Sequence, residues 1–204
     1  MGETDQEFWD EAYKQEPDQA GVPDHFLEQE VAELEPGTAV DLGCGVGDNA
    51  LMLAGRGWQV TGLDFATEAI KLANQAAHDK GLIADFIAAD TTTWQPPQQY
   101  DLVIITYALP GGQKSKQALN TALKALAQGG TLIVIEWDNS MAAACGFGED
   151  DLMSVEEIVA NLPGLAIEKA EVRQVESPFG HEDAGQKMAN AALVRARKPV
   201  QLPF

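Results

Sequence analysis

The chain has 204 residues, of which 45% are hydrophobic, and this is enough for one soluble domain with a full apolar core. Its 32 acidic residues outnumber 13 basic ones, and the net charge of −19 argues against nucleic acid, whose phosphates need clustered Lys and Arg. No apolar run approaches the roughly 20 residues that cross a bilayer, and the acidic residues 1–7 lack the apolar core of a secretory signal. Two cysteines make no disulfide framework, so we expect a reduced, cytoplasmic protein that acts on neither nucleic acids nor membranes.

Two helices are predicted at the start of the chain. The aromatic residues Phe8, Trp9 and Tyr13 fall on one face of the first helix, with charged residues elsewhere. A loop containing Pro and Gly follows over residues 16–23. Asp24 is then placed to cap a second helix, because a side-chain oxygen at that position can accept from free N–H groups of the first turn.

From residue 36 onwards, strands and helices alternate. The predicted strands are 38–42, 58–63, 84–88, 100–106, 130–136, 165–175 and 189–197. The predicted helices between them are 48–55, 67–80, 114–127 and a short one that begins at the capping box of residues 154–157. This alternation predicts a parallel sheet with helices on both faces. We expect residues 1–35 to form N-terminal helices or a lid on a domain of residues 36–204, within one globular unit.

The stretch 38–50 carries the most functional information. An apolar strand runs into glycines at three alternate positions, Gly43, Gly45 and Gly47, and a helix follows at once. This layout lets backbone N–H groups and a helix N-terminus approach a bound cofactor closely. The next strand ends at Asp64, whose carboxylate is placed to accept hydrogen bonds from ribose hydroxyls. The sequence therefore predicts a nucleoside-bearing cofactor.

Two kinds of cofactor fit a glycine loop of this form. Residues 45–50 match the G-x-G-x-x-A fingerprint of dinucleotide-binding proteins. However, Asp41 stands before the loop and Asp48 at the start of the helix, where a pyrophosphate would need to rest. Two carboxylates would repel a diphosphate, whereas they would attract a sulfonium and an ammonium group. This charge pattern favours a cationic cofactor over a dinucleotide.

The run from Asp41 to Gly47 resembles motif I of the class I S-adenosylmethionine-dependent methyltransferases. Later segments resemble the family's further motifs in order: 60–65, 88–91, 100–106 and 128–134. The resemblance covers roughly residues 38–136. It implies an α/β, Rossmann-like, seven-stranded, mostly parallel sheet with helices on both faces and a C-terminal antiparallel strand pair. It also implies S-adenosyl-L-methionine as cofactor and S-adenosyl-L-homocysteine as product.

The same resemblance implies roles for individual side chains at one edge of the sheet. Asp41 and Thr106 would hold the ammonium group of the cofactor, Asp64 would hold the ribose diol, and Asp90 would accept from the adenine amino group. The full set of implied cofactor residues is Asp41, Gly43, Cys44, Gly45, Gly47, Asp64, Phe65, Asp90, Thr91 and Thr106.

Segments largely outside the cofactor motifs indicate which class of molecule accepts the methyl group. Residues 8–13, 57–64 and 191–197 look like parts of the small bacterial tellurite-resistance and thiopurine-type methyltransferases, which implies a small-molecule acceptor. No Asn-Pro-Pro-Tyr type motif of amino-methylating enzymes stands at residues 106–110. A soft nucleophile, such as a thiol or a chalcogen oxyanion, ionises easily and needs no general base. We therefore expect a soft acceptor.

Candidate residues for the acceptor side are mostly aromatic: Trp9, Tyr13, Tyr107, Trp137 and His181. Candidates for acid–base chemistry are Tyr107, Glu136 and His181, although a simpler interpretation of Glu136 is that it satisfies nearby backbone groups. The spacing of His and Cys predicts no metal site. A monomer or homodimer is expected. Two other hypotheses remain: a non-catalytic S-adenosylmethionine-binding module, and an NAD-dependent oxidoreductase.

Overall fold

A computed structural model describes residues 3–15, 21–142, 148, 151–176 and 188–201. Seven strands form one sheet: β1 (Thr38–Leu42), β2 (Gln59–Asp64), β3 (Asp85–Ala88), β4 (Tyr100–Thr106), β5 (Leu126–Trp137), β6 (Ala166–Glu176) and β7 (Met188–Arg197). Their order across the sheet is β3-β2-β1-β4-β5-β7-β6. Strands β1 to β5 are parallel, and β7 runs antiparallel to both β5 and β6. The predicted sheet with its C-terminal antiparallel pair is confirmed.

The helices are α1 (Glu3–Gln15), α2 (His25–Val31), α3 (Asp48–Gly55), α4 (Thr67–Lys80), α5 (Gly112–Ala125) and α6 (Val155–Ala160), with a 3-10 turn at Asn139–Met141. Two predicted caps are confirmed. The Asp24 carboxylate accepts from the N–H of Leu27 at 2.8 Å, and Ser154 and Glu157 form a reciprocal capping box before α6. Among the described residues, no helix is long and apolar enough to cross a membrane.

Alternate residues along the central strands build two separate cores, one on each face of the sheet. On β4, Val103 and Ile105 pack with α5 and α6, while Leu102 and Ile104 pack with α2 and α3. All four side chains are buried. Strands covered on both faces read as continuous apolar runs rather than alternating ones. The predicted helices on both faces of the sheet are therefore confirmed.

The largest difference from the predicted boundaries lies between α5 and β5. The helix expected over 114–127 ends at Ala125, and β5 begins at Leu126 rather than at residue 130. Leu126 is fully buried in an extended conformation and pairs with Tyr100 before the register shifts. Burial of the leucine and its pairing with β4 thus end the helix two residues before the position predicted from pattern alone.

Helix α2 is held to the antiparallel strands by charge. Its Glu30 is only 4% exposed and forms ion pairs with Lys169 and Arg173 of β6 and with Arg195 of β7. Arg195 also donates to the backbone carbonyl of Glu30 at 2.7 Å. The guanidinium of Arg173 lies 4.9 Å from the ring centroid of Phe26. One buried carboxylate therefore gathers three cations from two strands.

Candidate functional site at the carboxyl edge of the sheet

A cavity of about 910 Å3 opens at the carboxyl ends of β1, β2, β4 and β5, with α1 forming part of its wall. Ligands of open α/β sheets bind at this edge. Most of the predicted cofactor residues line the cavity: Gly43, Cys44, Gly45, Asp64, Phe65, Thr91 and Thr106. Asp41, Gly47 and Asp90 are not part of the lining.

The glycine loop has a shape that side chains would prevent. Gly43, Gly45 and Gly47 all have positive φ angles, of 85°, 52° and 89°. A Cβ on Gly43 would clash with the methyl group of Ala108, which follows β4, and a Cβ on Gly47 would lie 2.9 Å from the ring of Phe86. The loop is therefore tightly packed against neighbouring strands, and its open side faces the cavity.

Asp64 joins the glycine loop to the start of α4. One carboxylate oxygen accepts from the N–H of Gly45 and the other from the N–H of Ala66, both at 2.9 Å. Burial raises the pKa of Asp64, and these two backbone hydrogen bonds oppose the rise. Each carboxylate oxygen can accept a second hydrogen bond. Asp64 can therefore hold the loop and still accept from a ligand in the cavity.

Asp41 is a buried carboxylate near the end of β1. Its side chain is fully buried, and among the described residues neither of its oxygens has a hydrogen-bond partner. Burial, followed by the negative charge of Asp64, raises the pKa of Asp41 to about 8. An unpaired buried charge is costly, and a nearby cation or donor relieves that cost. The end of β1 is therefore suited to a positively charged ligand.

Asn49, which sequence reasoning missed, connects three parts of the site. Its amide nitrogen donates to the hydroxyl of Thr106 at 2.8 Å, and its oxygen accepts from the N–H of Asp24 at 2.8 Å. The neighbouring Asp48 carboxylate accepts from the N–H of Gly21 at 2.9 Å. The first turn of α3 thus ties the end of β4 to the segment that leads into α2. The one available signal was a polar residue directly after the glycine loop.

Glu136 is occupied by backbone donors. It is 3% exposed, and its two oxygens accept from the N–H groups of Leu109 and Trp137, each at 2.8 Å. Burial raises the pKa of Glu136 to about 7, against the opposing effect of these bonds and one from Ala108. Glu136 therefore fixes the loop after β4, as its simpler interpretation predicts.

Tyr107 and Trp137 form an aromatic wall of the cavity. Their ring centroids are 4.5 Å apart. Tyr107 has a φ of 52°, which is uncommon for a residue with a side chain and is found where surrounding contacts impose it. Its hydroxyl is hydrogen-bonded to Asp24, and burial, then the charges of Asp24 and Glu136, raises the pKa of Tyr107. Stacking on Trp137 and the hydrogen bond to Asp24 thus both fix the position of the Tyr107 ring.

Helix α1 lies over the glycine loop. A Cβ on Gly45 would come within 3.1 Å of the Tyr13 hydroxyl, and the carboxylate of Asp10 accepts from the N–H of Glu68 at 2.9 Å in the first turn of α4. Phe8 and Trp9 line the cavity while remaining 66% and 45% exposed. These two aromatic side chains are therefore not core residues.

The remaining predicted residues separate into three groups. Phe65 and Thr91 line the cavity. One oxygen of Asp90 accepts from both the N–H and the hydroxyl of Thr92, which makes a local turn. His181 lies outside the described residues. Among the residues that the structure describes, no group of three or more His, Cys, Asp or Glu side chains could hold a metal ion.

Residues 39–130 match a family model described as a methyltransferase domain. Demethylmenaquinone methyltransferase of Thermus thermophilus is 34% identical over 117 residues, which are 56% of this chain and 53% of that protein. Trans-aconitate 2-methyltransferase of Streptomyces avermitilis is 37% identical over 134 residues, 61% of this chain and 49% of that protein. The matches thus span about half the length of these curated relatives.

Solved structures share the fold across most of the chain. TehB from Haemophilus influenzae aligns with a TM-score of 0.77 at 16% identity, covering 93% of this chain and 67% of that chain. The N-methyltransferase NodS from Bradyrhizobium japonicum, in complex with S-adenosyl-L-homocysteine, aligns with a TM-score of 0.65 at 20% identity, covering 85% and 83%. The sheet and its helices therefore have the Rossmann-like fold of these methyltransferase structures.

Proposed function

We propose that this chain is a class I S-adenosylmethionine-dependent methyltransferase that acts on a small molecule. The observation that carries the proposal is the carboxylate of Asp41, which is buried at the start of a glycine loop on the ligand-binding edge of the sheet and has no hydrogen-bond partner among the described residues. The methyltransferase-domain match over residues 39–130 and the small-molecule methyltransferases among the relatives support it.

The residues at this edge fit such a cofactor. Asp41 supplies negative charge for the ammonium group, and Asp64 has acceptor capacity for the ribose hydroxyls beyond its hydrogen bonds to backbone N–H groups. Phe65 and Thr91 line the cavity where the adenine would lie, and Thr106 borders it at the end of β4. Asp90 is engaged by Thr92, so we assign it a smaller role.

When bound, S-adenosylmethionine supplies a methyl group activated by a positively charged sulfonium. The protein then has to align a nucleophile and exclude water. The Tyr107–Trp137 wall and helix α1 enclose the space beside the glycine loop. We propose that residues 1–35 act as a lid on the domain formed by residues 36–204.

A soft acceptor is the finer part of the proposal. Each oxygen of Glu136 already accepts from a backbone N–H, so this carboxylate acts by fixing the loop after β4 rather than as a base. A thiol ionises without a strong base, and a chalcogen oxyanion needs none. We therefore propose a soft acceptor, as in the tellurite-resistance and thiopurine-type enzymes that residues 8–13, 57–64 and 191–197 resemble. Of the two kinds, the thiol is the one that a negatively charged cavity favours.

Calorimetry with S-adenosylhomocysteine, NAD and NADP tests the cofactor. We expect binding of S-adenosylhomocysteine alone, and at least tenfold weaker binding by Asp64→Ala, because hydrogen bonds to a charged group contribute about 1.5–3 kcal/mol. Asp79→Asn is the control, since this carboxylate is exposed near the end of α4. Thermal unfolding of each variant separates lost binding from lost folding. Preferential binding of NAD would contradict the proposal.

A non-catalytic S-adenosylmethionine-binding module is the second candidate, favoured by the engagement of Glu136 with backbone groups. Release of S-adenosylhomocysteine from S-adenosylmethionine across a panel of thiols, oxyanions, phenols and amines distinguishes the two. Tight cofactor binding with no release on any acceptor would establish the module instead of the enzyme.

A further inference from the structure

The cavity wall carries negative charge only. Its carboxylates come from five different places in the chain: Asp24, Asp48, Asp64, Glu136 and Asp151. No Lys, Arg or His is found among the described residues that line it. No cation of the described wall offsets these carboxylates.

These carboxylates are fixed rather than mobile. Asp24, Asp48 and Asp151 each accept from a backbone N–H at 2.8–2.9 Å, as Asp64 and Glu136 also do. None of the ion pairs among the described residues includes any of the five. A backbone N–H orients a carboxylate without cancelling its full charge. The negative electrostatic potential in the cavity therefore comes from carboxylates that the backbone holds in place.

The rest of the wall is apolar. Beside the stacked Tyr107 and Trp137 lie Leu109, Pro110 and Leu152. Such surfaces bind the apolar body of a ligand, and the faces of aromatic rings attract cations. Both the carboxylates and the aromatic faces therefore favour ligands that carry positive charge on an apolar body.

Resting on the function proposed above, we infer that the acceptor is a molecule whose body, apart from the reacting group, is apolar and carries no negative charge, and that a cationic group on this body strengthens binding. Bound S-adenosylmethionine carries one net positive charge, which is fewer than the carboxylates around it. The remaining negative charge repels acceptors with an anionic body, because a cavity walled by protein screens charge less than bulk water does. Of the soft acceptors, thiols with neutral or cationic bodies fit, whereas chalcogen oxyanions do not.

Three benzenethiols of similar shape test the inference. They carry a carboxylate, a carboxamide or an aminomethyl group opposite the thiol, and because the thiol is common to all three, they differ in the charge of this substituent. Binding is measured by calorimetry with the protein saturated in S-adenosylhomocysteine, and turnover with S-adenosylmethionine. We expect the carboxylate to bind at least tenfold more weakly than the carboxamide at low salt, and the aminomethyl compound to bind as tightly or more tightly. Added salt should narrow these differences.

Charge variants link the preference to the wall. Asp24→Asn combined with Asp151→Asn keeps similar side-chain shape, and Asn also serves as a helix cap at position 24. We expect this double variant to reduce the ratio of cationic to anionic affinity several-fold, with carboxamide binding measured beside it to report any change in the shape of the wall. Asp79→Asn with Asp85→Asn changes the net charge equally, outside the cavity, and should leave the ratio as it is.

The outcomes separate this inference from the proposed function. A protein that does not bind S-adenosylhomocysteine overturns the proposed function. If it binds that product and the carboxylate binds as well as the carboxamide, or the double variant leaves the ratio unchanged, the charge selection is wrong. If none of the three thiols binds to the saturated protein, the apolar acceptor site is wrong.

Discussion

Two buried carboxylates lie on different sides of this molecule in opposite surroundings. Glu30 of α2 contacts three cations from β6 and β7, whereas Asp41 at the end of β1 has no hydrogen-bond partner among the described residues. Both are at most 4% exposed. The chain itself neutralises the first charge. No described residue neutralises the second, and we propose that the ammonium group of the cofactor does so.

The difference shows where stability and binding are separated in this fold. A carboxylate with partners in the chain holds a helix to the sheet, and removing it leaves the partner cations without a counter-charge. A carboxylate without partners costs free energy until a ligand arrives, so the same cost becomes a source of affinity. Substitutions at the two positions should therefore have opposite effects on stability.

Of the substitutions considered, Glu30→Gln should reduce the free energy of unfolding the most. It leaves three cations facing one another around a buried neutral amide. We expect a loss of about 2–4 kcal/mol in the free energy of unfolding, below the roughly 3–5 kcal/mol of a fully dry pair because the cations retain water contact. Urea denaturation measures the change. Glu33→Gln, on the exposed surface just after α2, is the control and should change stability by less than about 0.5 kcal/mol.

Asp41→Asn should act in the other direction and with pH. The pKa of Asp41 is raised from its ordinary value of 3.8 to about 8. Between these values the unfolded chain has lost its proton while the folded chain keeps it, so the stability of the wild type falls as pH rises. The neutral variant lacks this loss and should gain relative stability from pH 4 to pH 8, while binding S-adenosylhomocysteine more weakly.

Urea denaturation at several pH values checks the Asp41 prediction. Glu136, whose pKa is also raised, to about 7, contributes a similar slope to both proteins and so cancels in the difference. Parallel stability curves for wild type and Asp41→Asn would show that this carboxylate does not carry the cost described here.

Apart from the Glu33→Gln control, Lys169→Met should change the free energy of unfolding the least. It removes one of the three cations around Glu30 and leaves Arg173 and Arg195 in place. The lysine side chain is also 35% exposed, so water already weakens its attraction to Glu30. We expect a loss of about 0.5–1 kcal/mol by the same urea measurement. A loss as large as that of Glu30→Gln would mean that one pair dominates.

Local patterns predicted most of the fold. Apolar runs and helix caps such as Asp24 and Ser154 depend on residues close in sequence, and the structure has them at the predicted positions. The predicted end of α5 was wrong because pairing of the buried Leu126 with β4 ends that helix. No local sequence signal marks this end.

The site was predicted less completely, for the same reason. The glycine loop and Asp64 follow from a short motif and lie on the cavity. The contact of Asn49 with Thr106, the Leu109 donor to Glu136 and the cations around Glu30 depend on contacts between distant segments. Glu30 and Lys169 are 139 positions apart. Spacing in sequence contains no information about such pairs.

The hydrogen bond from Glu68 to Asp10 has a practical consequence. No side chain within α4 caps its first turn, and this cap comes from α1 instead. The Glu68 amide proton is therefore protected from solvent exchange when α1 lies against α4 and is open to it when α1 departs. A single backbone NMR signal, followed during titration with a ligand, can thus record the position of a helix more than fifty residues earlier in the chain.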